Sequence, residues 1–278
     1  MDRRGLKRIL LACLAALMPL PAVAGVQNDV PSCYAANHVQ PAVTDGYTRL
    51  IYVLIDQTVG WNDDLRGAIL ANLNANLQPG TKFVVAAFSA FAQGRYLHVI
   101  HTGIIEAPMP AAQVGNTAIT TTRVFDECLA DQRPYAVSLA DASVQSALQS
   151  SSASLAHSDI MSALHAVSAP IAADPAGQRI LLLASDGLEN SATTSFYLGG
   201  AARDIDPARE LERAGGLIGD FGGAKVFVIG GGLPPEAGAY ETPKLLHDLA
   251  AFWGLYFARS DARLVEFGEP ALLQPVGF

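Results

Sequence analysis

Hydrophobic positions recur along this chain with two different periods. Residues 50–55, Leu-Ile-Tyr-Val-Leu-Ile, are six apolar residues in a row. Such a run suits a strand buried on both faces, as in the middle of a parallel sheet. The spacing then changes. Leu65, Ile69, Leu73 and Leu77 repeat every four residues, which predicts an amphipathic helix over 62–77. Asp63 and Asp64 fall in its first turn, where the helix dipole favours negative charge. Gln78-Pro79-Gly80 closes it. Residues 82–88 read as a second strand, and 95–102 alternate as a third, nearer an edge. His98 and His101 lie on that third strand. A spacing of three puts them on opposite faces, so they read as ordinary strand histidines and not as a metal pair.

Residues 106–156 carry the weakest periodicity. Pro108 and Pro110 open this segment, and 116–122 are polar and rich in threonine. Two helical stretches follow, 123–131 with Cys128 and 135–149. A segment of this length reads as a helical insertion that offers a recognition surface or a cover. A clearer helix begins at Ser158, with Ile160, Ala163, Leu164, Val167 and Ile171 as its stripe and Pro170 as its end. Residues 179–184 predict a fourth strand, and 187–205 a polar loop. Asp206-Pro207 is a cap followed by proline at the first helical position, ahead of Leu211, Leu217, Ile218 and Phe221. Residues 225–229 are a fifth strand, closed by Gly230, Gly231 and Gly232. Thr242-Pro243 repeats the cap, and Leu245, Leu246, Leu249, Phe252 and Trp253 line a helix that ends at Gly254. Residues 255–258 suit a last short strand. Strands alternating with helices imply an α/β fold: a doubly wound, mainly parallel, Rossmann-like sheet of about six strands with helices on both faces.

Composition narrows the setting. Half of the 278 residues are hydrophobic and the formal net charge is -8, so the chain fills a core and offers no basic footprint for nucleic acid. Residues 1–24 read as a signal peptide. Arg3, Arg4, Lys7 and Arg8 precede an apolar run over 9–20, and Ala22-Val23-Ala24 is a small-x-small cleavage site. The run is shorter than the ~20 residues of a membrane span, and Pro19 and Pro21 interrupt it. Lipoprotein-type cleavage before Cys13 is disfavoured, because the apolar run continues past it. The expected organisation is then an N-terminal extension at 25–48, a domain at 49–258 containing the insertion, and a tail at 259–278. The mature chain is expected outside the cytoplasm, periplasmic or secreted, with no membrane span. Two cysteines remain, Cys33 and Cys128. In an oxidising compartment an even count suggests one disulfide; two free buried thiols are the alternative.

The candidate chemistry sits at strand ends. Asp56 closes the first strand, with Thr58 and Gly60 after it. Ser158 heads a helix. Asp186 closes the fourth strand as Ser185-Asp186-Gly187. In open α/β sheets ligands bind beyond the carboxyl ends of the central strands. The order strand–Asp56-x-Thr58-x-Gly60, then Ser158 before a helix, then strand–Asp186-Gly187 resembles the von Willebrand factor type A domain and its metal-ion-dependent adhesion site. The resemblance spans about residues 49–258. It implies a divalent cation, Mg²⁺ or Mn²⁺, held by Asp56, Thr58, Ser158 and Asp186. Gly60 departs from the pattern, having no side-chain oxygen. Asp63, Asp64, Asp159 and Glu189 are further carboxylates close in sequence.

The resemblance implies a non-enzymatic binding module that takes a carboxylate of a protein partner at the metal. A metal-dependent, phosphatase-like hydrolase is the rival, but Asp56-x-Thr58 lacks the second aspartate of the Asp-x-Asp-x-Thr pattern. No Gly-x-Ser-x-Gly elbow is present, and Gly230-Gly231-Gly232 alone is a weak nucleotide signal. A structural envelope component with a vestigial site is the third possibility. In that case Asp56 would merely cap a turn.

Overall fold

The structure, a computed structural model, describes residues 28–43, 46–89, 97–152, 157–233 and 241–278. The signal peptide expected at 1–24 lies outside the described residues, as do Arg95 and Tyr96 of the third expected strand.

The apolar runs become adjacent strands. In chain order these are β1 (Arg49–Asp56), β2 (Thr81–Phe88), β3 (Leu97–Ile105), β4 (Gln178–Ala184), β5 (Tyr197–Leu198), β6 (Ala201–Ala202), β7 (Ala224–Ile229) and β8 (Ala262–Phe267). Six of them form one sheet in the order β3-β2-β1-β4-β7-β8, and β5 and β6 pair in a separate hairpin. Only β3 runs antiparallel within the large sheet. The chain winds one way from β1 through β2 and the other way from β4 through β7. The switch point therefore falls between β1 and β4, where open α/β sheets bind ligands. This is a doubly wound, Rossmann-like α/β fold.

Consecutive residues of β1 serve two cores. Leu50, Tyr52 and Leu54 face one, and Ile51, Val53 and Ile55 face the other. The helices in chain order are α1 (Cys33–Ala36), α2 (Asp63–Asn76), α3 (Ala111–Val114), α4 (Ile119–Gln149), α5 (Ile160–Ala173), α6 (Pro207–Arg213) and α7 (Pro243–Arg259). Leu65, Ile69 and Leu73 of α2 and Ala136, Ala140 and Val144 of α4 cover one sheet face. Leu164 and Val167 of α5 and Leu249, Phe252 and Trp253 of α7 cover the other.

Several expectations are corrected. Residues 119–149 form one continuous helix and not two, and α4 is a layer of the core. Pro134 lies within it. Pro134 and Ala130, whose carbonyl it leaves without a donor, are both exposed, so the freed carbonyl is on the solvent side and need not break the helix. Pro170 likewise sits inside α5, which runs on to Ala173, with Ala166 exposed. Gly254 does not end α7. The buried stripe Leu249, Phe252, Trp253, Tyr256 and Phe257 keeps helical spacing to Arg259, so 255–258 are helical. The last strand is β8, inside the expected tail. The helix after Pro207 is only seven residues long and passes into a 3-10 turn, Ala214–Leu217. The loop at 187–205 contains the β5–β6 hairpin. His98 pairs with Ala87 and His101 with Val85, across a bulge at Ile100. The extra residue resets the alternation, so the two histidines share a face.

Cys33 and Cys128 form a disulfide that fastens α1 to α4. Beside it the buried Glu106 carboxylate accepts from Ser32 Oγ at 2.5 Å, Cys33 N–H at 2.7 Å and Gln132 Nε2 at 3.1 Å. The extension is thus tied to the domain covalently and by a satisfied buried carboxylate.

Candidate functional site

Parallel pairing places the ends of β1 and β4 side by side. Ile55 opposes Ala184, so Asp56 and Ser185 leave the sheet together. Asp56 is fully buried. Its Oδ1 accepts from Thr58 N–H at 2.9 Å and Thr58 Oγ1 at 2.6 Å. Its Oδ2 accepts from Ser158 Oγ and Ser185 Oγ, each at 2.9 Å. Four donors thus converge on one carboxylate. The sequence also explains the turn's rigidity: Trp61 Nε1 donates to the Asp56 carbonyl at 3.1 Å, and its ring packs where a side chain on Gly230 would go.

Ser158 reaches the site from a second loop. It exchanges both backbone hydrogen bonds with Asn190, at 3.1 and 3.0 Å, just before α5. Asp186 stands on the turn after β4, 6% exposed, with Leu188 N–H on its Oδ1 at 2.8 Å. Gly187 continues that turn at φ +74°, and a side chain there would strike the Trp253 indole. The indole Nε1 instead donates to the Gly187 carbonyl at 3.0 Å. Gly187 combines a left-handed backbone with a close approach, which glycine alone accommodates.

Asp186 directly follows Ser185, whose hydroxyl is on Asp56, so all four expected site residues come to the same end of the sheet. Asp56, Thr58 and Ser158 are hydrogen-bonded together, and Asp186 lies within electrostatic reach of Asp56. Ser185 is a member that sequence reading left without a role. Its signal is a hydroxyl at the end of the strand beside β1, and it supplies a third hydroxyl where Gly60 has none. Asp63 is fully exposed on α2 and takes no part.

The electrostatics are those of crowded acids. Burial raises the Asp56 carboxyl, and the bonds from Thr58, Ser185 and Ser158 pull it back only in part. Burial, then Asp56, then Glu241 hold Asp186 well above the usual carboxylate range. Burial, followed by Asp186, Asp56 and Glu241, also raises the Tyr197 phenol. Tyr197 and Glu241 are thus coupled electrostatically to the rim, and no local motif announces them. Glu189 is fully buried behind the rim, and burial pushes its carboxyl up to about 8.

The oxygen-only set suits a hard divalent cation, which accepts carboxylates, hydroxyls and retained waters. Hydroxyls that give their protons to Asp56 keep lone pairs for a cation. Like-charged carboxylates in one site are relieved by a cation or a proton. Among the described residues no three His, Cys, Asp or Glu side chains are grouped to hold a metal; the set here is two carboxylates with hydroxyls. Among the described residues, too, no helix is long and apolar enough to cross a membrane.

No protein family matches the chain, and no curated protein does. Among solved structures it is similar to the TFIIH p34 N-terminal domain, at 15% identity and a TM-score of 0.32, over 82% of this chain and 95% of that one. It is similar to the pilus adhesin SpaC from Lactobacillus rhamnosus GG, at 12% identity and a TM-score of 0.38, over 80% of this chain and 28% of the adhesin. A third likeness is to an aerotolerance-related membrane protein from Bacteroides fragilis NCTC 9343, at 12% identity and a TM-score of 0.33, over 81% of this chain and 94% of that one. At these values the doubly wound fold rests on this chain's own strand order.

Proposed function

We propose that this chain is a binding module, similar to the von Willebrand factor type A domain, that takes a protein partner at the rim of Asp56, Thr58, Ser158 and Asp186. One observation carries the reading: three hydroxyls converge on one buried aspartate, with a second buried aspartate beside it, at the switch point of the sheet. Asp56, Thr58, Ser158 and Asp186 would hold Mg²⁺ or Mn²⁺. When bound, such an ion offers a coordination position to a carboxylate of the partner. The chain's own residues do the rest. Thr58, Ser158 and Ser185 orient Asp56, and Leu188 N–H orients Asp186.

Recognition fits this arrangement better than turnover. The hydroxyls of Thr58, Ser158 and Ser185 all donate to Asp56, and among the described residues none of the three is hydrogen-bonded to a histidine or lysine that would activate it as a nucleophile. The Cys33–Cys128 disulfide is compatible with an oxidising compartment. With the signal peptide expected at 1–24, it supports a periplasmic or secreted module.

Capture of partners from an envelope extract tests the reading. The captured protein is expected to be lost in EDTA and lost with Asp186→Asn. Capture that survives both changes would overturn the reading and leave a structural component with a vestigial site.

A further inference from the structure

Two loops of the site are joined behind its rim by one side chain. Glu189 lies on the loop that leaves β4 with Asp186, and it is 0% exposed. Its Oε2 accepts from Met161 N–H at 2.9 Å, in the first turn of α5. Asp159, at the N-cap of that helix, makes no side-chain cap bond. The Glu189 carbonyl accepts from Phe196 N–H at 2.8 Å, and the next residue, Asn190, carries the double backbone pairing with Ser158. The loop bearing Asp186 and the helix start bearing Ser158 are therefore held together at Glu189 and Asn190.

Glu189 is also an anomaly as a core residue. Its Oε1 is buried and makes no well-formed hydrogen bond, with only the Ser191 side chain beside the carboxyl to support its charge, whereas buried polar atoms are nearly always well paired. A side chain that only filled space here would be apolar at lower cost.

We propose that Glu189 is the positioning residue of the site. It sets the distance between the Ser158 loop and the Asp186 loop without itself touching what binds there. The proposal rests on the cation-binding reading above. Groups that orient the ligands of a metal typically change its affinity about 10–100-fold when removed. Glutamine at 189 keeps an acceptor for Met161 N–H, while leucine keeps the volume and removes the acceptor.

The test compares wild type, Glu189→Gln and Glu189→Leu, using Mn²⁺ alone as the probe and hydrogen exchange at the Met161 amide as an independent readout. Wild type and Glu189→Gln are expected to protect Met161 equally and to bind Mn²⁺ equally. Glu189→Leu is expected to exchange Met161 about tenfold faster and to bind Mn²⁺ about tenfold more weakly, at temperatures where it is fully folded. A leucine variant with wild-type affinity overturns the proposal, and so does a glutamine variant as weak as leucine. If no protein binds Mn²⁺, wild type included, the cation reading fails. The exchange arm then decides the anchoring by itself: unchanged Met161 protection in Glu189→Leu overturns it.

Discussion

Replacing Glu189 by glutamine is expected to stabilise the protein by about 3 kcal/mol at pH 7. The sign follows from burial. Glu189 titrates near the ordinary 4.5 in the unfolded chain and at about 8 in the folded one. Desolvation is the chief cause, and Asp159 and Asp56 add to it. Between those values the unfolded chain carries the charge and the folded chain carries the proton. Stability therefore falls as pH rises from the unfolded value to the folded value, by about 1.4 kcal/mol per pH unit, and then levels. Glutamine stays neutral throughout. The two stability curves should meet near the unfolded pKa, diverge as pH rises, and run parallel above the folded one. Chemical denaturation of both proteins across that range measures the difference directly. A constant offset would show that Glu189 is ionised in the folded state.

Replacing Cys33 and Cys128 together by alanine is expected to cost about 4.7 kcal/mol, the chain-entropy value for cross-linking a loop of this length. The two residues are 95 apart in sequence, so the bond withholds much freedom from the unfolded chain. The contacts of Glu106 with Ser32, Cys33 and Gln132 remain in the variant, so the fold should survive with a lower melting temperature. Denaturation of wild type in dithiothreitol should reproduce the variant. A reductant that leaves the midpoint unchanged would contradict the expectation. The loss should not reach the rim, which lies at the carboxyl ends of β1 and β4 and not against α1.

What sequence alone made legible follows a physical divide. Runs that bury both faces of a strand are local, so residues 50–55 and 179–184 announced themselves, and Asp56 and Asp186 came with them. Parallel pairing then did what the motif required and set the two strand ends together. Helix ends were less legible, because proline and glycine stop a helix only where tertiary packing lets them. Pro134 and Pro170 lie on exposed faces, where the freed carbonyls are not buried in the core. Gly254 sits between Trp253 and Tyr256, both fully buried, whose packing carries the helix through it. The last strand was missed for a related reason: β8 is only partly buried along its length, so no continuous apolar run marks it.

At the site, the missed contributors are those that depend on the three-dimensional meeting of loops. Ser185 acts only because β4 lies beside β1. Tyr197 comes from the β5–β6 hairpin, and Glu241 from beyond β7. The effect of Glu241 on Asp186, and of Asp186 on Tyr197, has no counterpart in local spacing. Glu189 was visible as one more acid near the motif. Its burial and its hold on Met161 were not.

Everything functional here depends on whether the rim of oxygens accepts a divalent ion. Isothermal titration of the purified chain with Mn²⁺, and then with Mg²⁺, beside an Asp186→Asn variant, asks this without any partner. Saturable binding in wild type that disappears in Asp186→Asn is the expected result. The absence of binding in wild type, or binding that Asp186→Asn leaves untouched, would contradict it.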